Sequence, residues 1–65
     1  QKVDLNRAEP WLLEALPGIG EVRAQAIVDY RLNHGRFQSI NELTNVPGIG
    51  VTTYQRIGHL ITVAD

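Results

Sequence analysis

Leu16-Pro17-Gly18-Ile19-Gly20 recurs thirty positions later as Val46-Pro47-Gly48-Ile49-Gly50. The match extends outward, with Leu13 aligned to Leu43 and Ile27 to Ile57 at the same offset. A single Pro-Gly-Ile-Gly marks a turn and little else. Two copies with matching apolar flanks mark a duplicated supersecondary unit that cannot bury its apolar face alone. The copies are expected to pack as a pseudo-twofold pair.

The flanks read as helices. Asn6-Arg7-Ala8-Glu9 has the form of a capping box, and Pro10 then falls in the first turn, where a missing amide costs little. Leu12, Leu13 and Leu16 form a short apolar stripe that Pro17-Gly18 ends. A second helix is expected from Glu21, burying Ala24, Ile27, Val28 and Leu32, with Gly35 left-handed past its end. In the second half Ser39 is the expected cap of a helix carrying Ile40, Leu43 and Val46. Thr52 or Thr53 is expected to cap a fourth helix with Tyr54, Ile57, Gly58 and Ile61. Gly58 stands where the first copy has Val28, which suggests close approach of another backbone. Val3-Asp4-Leu5 and Ile61-Thr62-Val63 read as short extended ends, and Phe37 as a plug between the halves. The expected fold is all-α: one domain over 1–65, motif one about 6–33 and motif two about 37–63.

Sixty-five residues allow one domain and exclude a two-lobed enzyme. A chain this short buries only about 60% of its unfolded surface. With no cysteine it has no disulfide, thiolate zinc site or cysteine nucleophile, and His34 and His59 are too few for a zinc cage. Apolar packing must hold the fold. The net charge of −1 excludes binding by bulk positive charge, although five of the six basic residues are arginines, suited to phosphate. No apolar run could span a bilayer, and no signal-peptide pattern is present. The chain opens at Gln1 rather than Met, as a fragment or processed product would.

A helix, a Gly-rich turn and a second helix start make an anion site. The unpaired amides of the second helix point outward with the positive end of its dipole behind them. Gly18 and Gly20 are expected to adopt angles closed to other residues and to clear the outer face, while Ile19 points inward. Arg23 lies in the first turn, where a positive charge makes sense if it faces phosphate. Thr53 takes the equivalent place in the second copy, with Thr52 beside it and Arg56 a turn further on. Two such sites side by side suit a polymer with regularly spaced phosphates. Glu21 and Val51, next to the two turns, do not attract phosphate.

These paired hairpins resemble the helix-hairpin-helix motif in its tandem form. From Val3-Asp4-Leu5-Asn6 through Ile61-Thr62-Val63 the chain is similar to the DNA-binding domain of the ComEA competence proteins. Asp29-Tyr30-Arg31 and Gly35-Arg36-Phe37 fit that family as well. The resemblance implies a small bundle like a SAM domain. It implies non-specific binding of double-stranded DNA on the outer side of a bacterial cytoplasmic membrane, in DNA uptake during transformation. The family's membrane anchor and linker are not among these residues, and membrane DNA-uptake proteins are the implied protein partners. The implied contacts, to phosphates across the minor groove, come from Gly18, Ile19, Gly20 and Arg23, and from Gly48, Ile49, Gly50, Thr52, Thr53 and Arg56. No cofactor is implied beyond the monovalent cation that some such hairpins hold on backbone carbonyls. Tyr54, Val51 and Thr53 depart from the family's small, polar and basic residues. The second hairpin is therefore expected to bind more weakly or to serve mainly as scaffold.

Catalysis is not expected. The helix-hairpin-helix glycosylases need a larger fold with a base pocket, and no nucleophile–base pairing or paired carboxylates stand out. The competing reading is a protein-interaction module, as in photosystem II extrinsic subunit U, which shares the fold. Trp11 reads as a residue on the helix flank covering the core, and Tyr30 and Tyr54 as core edge. DNA binding predicts that Arg23, Arg56 and one or more of Arg7 and Arg31 gather on the hairpin face. An interaction module predicts an exposed apolar patch instead.

Overall fold

In the computed structural model, which describes residues 1–64, the two repeats form turns of one geometry. The Ile19 amide donates to the Leu16 carbonyl, and the Ile49 amide to Val46, each at 3.0 Å. Gly18 and Gly48 have φ of 79° and 91°. Proline followed by a positive-φ glycine is the requirement of a type II turn. Ile19 and Ile49 turn inward and are buried. Asp65, the last residue of the expected 1–65 domain, lies outside the described residues.

The first turn joins helix α1 (Pro10–Leu13) to α2 (Glu21–His34). The second joins a 3-10 helix (Ile40–Asn45) to α3 (Val51–Ile57), which continues into a 3-10 turn at Gly58–Leu60. Four main helices are thus present, but the third is 3-10. Its ends are tied by i→i+3 bonds, Glu42 to Ser39 and Val46 to Leu43.

None of the expected side-chain caps forms. The residue capping α1 is Glu9, in extended backbone, while glycines precede α2 and α3; Thr52 and Thr53 lie inside α3. Ser39 does precede its helix, but its hydroxyl donates to Asn41 Oδ1 rather than serving a helix amide. Asn6 does something else. Its Nδ2 donates to the Phe37 carbonyl at 3.0 Å, and its Oδ1 accepts the Phe37 amide at 2.6 Å. An amide side chain offers both a donor and an acceptor. Asn6 uses them to pin the linker between the halves to the start of the chain.

Residues of both halves build one core: Leu5, Leu13, Ile27, Phe37, Leu43, Ile57 and Ile61 are fully buried, with no buried polar side chain among the described residues. Phe37 is the largest of them, and the Tyr30 ring stacks on it at 5.3 Å. Tyr30 and Tyr54 are half-buried at the core edge, whereas Trp11 is 69% exposed and does not cover it. Leu32 is also exposed, at 76%. At about 100° per residue, Ala24, Ile27 and Arg31 share one face of α2, and Leu32 falls about a quarter-turn away. Arg31 takes the inward slot and donates from Nη1 to the Leu5 carbonyl at 2.8 Å. Past α2, Gly35 has φ 85° and donates its amide to Arg31, the glycine stop expected there.

Gly58 faces the Tyr54 ring at ordinary contact distance, not another backbone. The extended ends pair in parallel as β1 (Val3–Asp4) and β2 (Ile61–Thr62), with Val3 opposite Ile61. The Leu5 amide adds a bond to the Thr62 carbonyl at 2.9 Å. The all-α expectation thus gains a two-stranded ladder that joins the first residues to the last.

Candidate nucleic-acid interface

Each hairpin has a second glycine with a different local setting. Gly20 (φ −88°, ψ −168°) and Gly50 (φ −99°, ψ −176°) are in extended backbone open to any residue. The expectation that Gly20 needs glycine's conformational freedom is therefore corrected; in the first hairpin only Gly18 needs it. Nor does packing demand glycine, because a Cβ on Gly20 or Gly50 would meet nothing within 4 Å. Both occupy the N-cap position, where Ser, Asp and Asn are favoured, and no side chain caps the helix at either. The amides of the following first turn have no intrahelical partner. Two helix starts therefore keep their orphan donors uncapped and their outer surface clear.

The hairpins touch each other's helices. Arg23, in the first turn of α2, donates from Nε to the Gly48 carbonyl at 2.9 Å. A Cβ on Gly18 would lie 3.4 Å from Arg56 Nη1 and 4.0 Å from Thr53 Cγ2, both on α3. Each positive-φ glycine is thus approached by the helix that follows the other hairpin. Arg23, expected to face phosphate, uses one donor within the protein. It remains exposed, and a guanidinium has five N–H donors in all.

The remaining arginines serve the scaffold. Arg31 bonds Leu5, Arg7 pairs with Asp4 at 3.7 Å, and Arg36 donates to the Ala64 carbonyl. Arg23 and Arg56 stand at the hairpins; Arg7 and Arg31 are engaged at the chain's start. Ile19 and Ile49 were expected to contact phosphate, but their side chains are buried and their amides close the turns on Leu16 and Val46, which leaves a ligand only their carbonyls. Thr52 is exposed and Thr53 half-buried. Glu21, Val22 and Val51 are also exposed beside the turns, the two valines at 83% and 60%.

Away from this face, His34 stacks on Tyr30 at 4.2 Å, and its Nδ1 lies 3.2 Å from the Tyr30 carbonyl. That is a helix-end packing arrangement. Among the described residues no cluster of three or more His, Asp or Glu could hold a metal ion. The link from Arg23 to Gly48 spans 25 positions, and nothing in the sequence marks it. The open N-caps did leave a signal: glycine stands twice where a capping side chain is the ordinary choice.

A helix-hairpin-helix motif family model matches residues 1–62. The chain is 41% identical over 61 residues to ComE operon protein 1 of Bacillus subtilis, covering 94% of this chain and 30% of that protein. It is 38% identical over 60 residues to bovine endonuclease/exonuclease/phosphatase family domain-containing protein 1, covering 92% of this chain and 10% of that protein. An uncharacterised Haemophilus influenzae protein is 39% identical over 56 residues, which cover 85% of this chain and half of that protein. The chain thus spans well under two thirds of each of these relatives. With a family match over nearly its whole length and a Gly-rich hairpin between helices in each half, the chain belongs to the helix-hairpin-helix family.

Proposed function

We propose that the domain binds double-stranded DNA without sequence preference, holding phosphates on the amides of its two hairpins across the minor groove. The observation that carries this reading is the pair Gly20 and Gly50. Neither fold nor packing requires glycine there, so the reason lies with what approaches from outside. A bare helix start with a cleared surface is suited to an anion. Arg23 and Arg56 add the charge that a net of −1 does not supply, and they do so at the hairpins. The halves act as a pseudo-twofold tandem, with Thr52 and Thr53 contributing hydroxyls at the second site. That site is the weaker, because Thr53 stands where the first has Arg23.

Similarity to ComE operon protein 1 supports a role in DNA uptake on the outer side of a bacterial cytoplasmic membrane. No helix among the described residues is long and apolar enough to cross a membrane, so this domain would contribute the DNA-binding surface, not an anchor. Binding, not catalysis, is the proposed activity, since the match to the endonuclease/exonuclease/phosphatase protein takes in only a tenth of it. A monovalent cation held on the backbone carbonyls of the second hairpin would share Gly48 with the Arg23 guanidinium.

The test is anisotropy of a random-sequence duplex at two salt concentrations, with Gly20→Asp alongside. Each neutralised phosphate should contribute about −0.9 to the slope of log K against log salt. A carboxylate at position 20 can cap α2 from within the chain, so folding should hold or improve. Binding should fall at least about tenfold, since the same amides are then occupied and screened by negative charge. The body extends 23 Å along its longest axis, about seven base pairs at roughly 3.4 Å each. Affinity per binding site, with the number of overlapping sites on each duplex divided out, should therefore stop rising beyond that length. A folded domain that ignores duplex at low salt would sink this reading and favour a protein partner for a face that also exposes Val22 and Val51.

A further inference from the structure

We propose that Arg23 is a positioning residue that locks the second hairpin against the first, so that the two phosphate sites act as one rigid unit. The inference rests on the phosphate reading above for its purpose, but the lock itself is a property of the free protein. Its basis is the bond from Arg23 Nε to the Gly48 carbonyl at 2.9 Å. Gly48 is the positive-φ residue of the second turn, the point on which that turn's geometry depends. Its carbonyl is held by a group from the first turn of α2, directly after the first hairpin. In the opposite direction Thr53 and Arg56 stand beside Gly18, and among the described residues neither makes a hydrogen bond to it. The lock is therefore one-sided: the first hairpin's helix fixes the second hairpin, and not the reverse.

The chemistry explains why arginine stands there. An arginine has a donor at Nε and a separate charged fork beyond it. It can bond the carbonyl with the first and offer the fork to phosphate with the second. Lysine has a methylene at the Nε position and carries its only donors one atom further out. Glutamine places an N–H donor, Nε2, the same number of bonds from the backbone as arginine Nε, but has no charge. The two replacements therefore separate the lock from the charge.

Amide hydrogen exchange on the free domain reads the lock without DNA. The reporters are Ile49, bonded to Val46, and Tyr54, bonded to Gly50. Each is referred to Ile27 in the core of α2 to remove any change in global stability. In Arg23→Ala and Arg23→Lys, exchange at the reporters should rise about tenfold relative to Ile27, the loss of one charge-assisted bond. In Arg23→Gln it should stay within about twofold of wild type. Duplex binding should then show a salt slope smaller by about 0.9 for Arg23→Gln, one phosphate lost, and by about 1.8 for Arg23→Ala. Unchanged reporter exchange in Arg23→Ala overturns the lock. Equal binding by Arg23→Ala and Arg23→Gln overturns its role in spacing the phosphates. A wild-type domain that shows the exchange pattern yet binds no duplex keeps the lock and removes the phosphate reading alone.

Discussion

The two hairpins share one turn and differ on both sides of it. Residues 16–20 and 46–50 have the same closing hydrogen bond and the same positive-φ glycine. Yet one lies between a short α-helix and the fourteen-residue α2, the other between a 3-10 helix and the seven-residue α3. The turn is thus dictated by its own five residues, and the helices around it by what they pack on. Arg23, directly after the first hairpin, donates to the second, and no hydrogen bond returns from α3 to Gly18 among the described residues. The two copies of the repeat are thus unequal in what they give each other.

Phe37 sits between the halves and is fully buried, so it tests whether they are separable. Phe37→Ala should cost about 3–5 kcal/mol, enough to unfold a domain this small in one transition. Urea melts followed by Trp11 fluorescence and by far-UV circular dichroism should coincide. One hairpin outlasting the other would break the picture of a shared core. Asn6 joins the same regions through polar groups. Asn6→Ala removes two hydrogen bonds to the Phe37 backbone and should cost about 2 kcal/mol by the same melts.

Within each hairpin the two glycines should part company. Gly18→Ala and Gly48→Ala place a Cβ at positive φ and should each cost about 1–2 kcal/mol. The two values should be close, because the turns are alike; a large gap would show that the neighbouring helices, rather than the turn, set the strain. Gly20→Ala and Gly50→Ala meet no neighbour and no strained angle; the entropy they remove from the unfolded chain and the poorer N-cap that alanine makes oppose each other, so stability should change by less than about 1 kcal/mol. Their effect should appear in duplex titrations instead, larger at position 20 than at 50. If both are silent in binding, the open N-caps are not the contact surface.

The hairpins were legible in the sequence because turn chemistry is local. Pro-Gly fixes a type II turn wherever the flanks permit, and Ile19, Ile49 and Phe37 have no competing place to go. The caps were not legible. Asn6, Ser39, Thr52 and Thr53 are all competent caps, but the turn geometry starts each following helix one residue after its second glycine. The threonines are thereby carried into α3, and Asn6 finds a partner 31 positions away. Leu32 was misplaced for a related reason. Apolar spacing cannot show that a neighbouring arginine will reach inward to satisfy a carbonyl, as Arg31 does at Leu5. At the candidate site, the bond from Arg23 to the Gly48 carbonyl joins residues 25 positions apart, and no local pattern in the sequence could show it.

The parallel pairing of β1 with β2 has a mechanical side. The chain enters at the foot of β1 and leaves at the head of β2, because the strands run the same way. Tension on the two ends therefore drives the strands past each other along their length and strains their hydrogen bonds together, instead of peeling them apart one at a time. The Leu5–Thr62 bond and the Arg36 hold on Ala64 lie next to that ladder and share the strain. A domain pulled through both ends would meet the force along its stiffest direction, with the hairpins outside the stressed path.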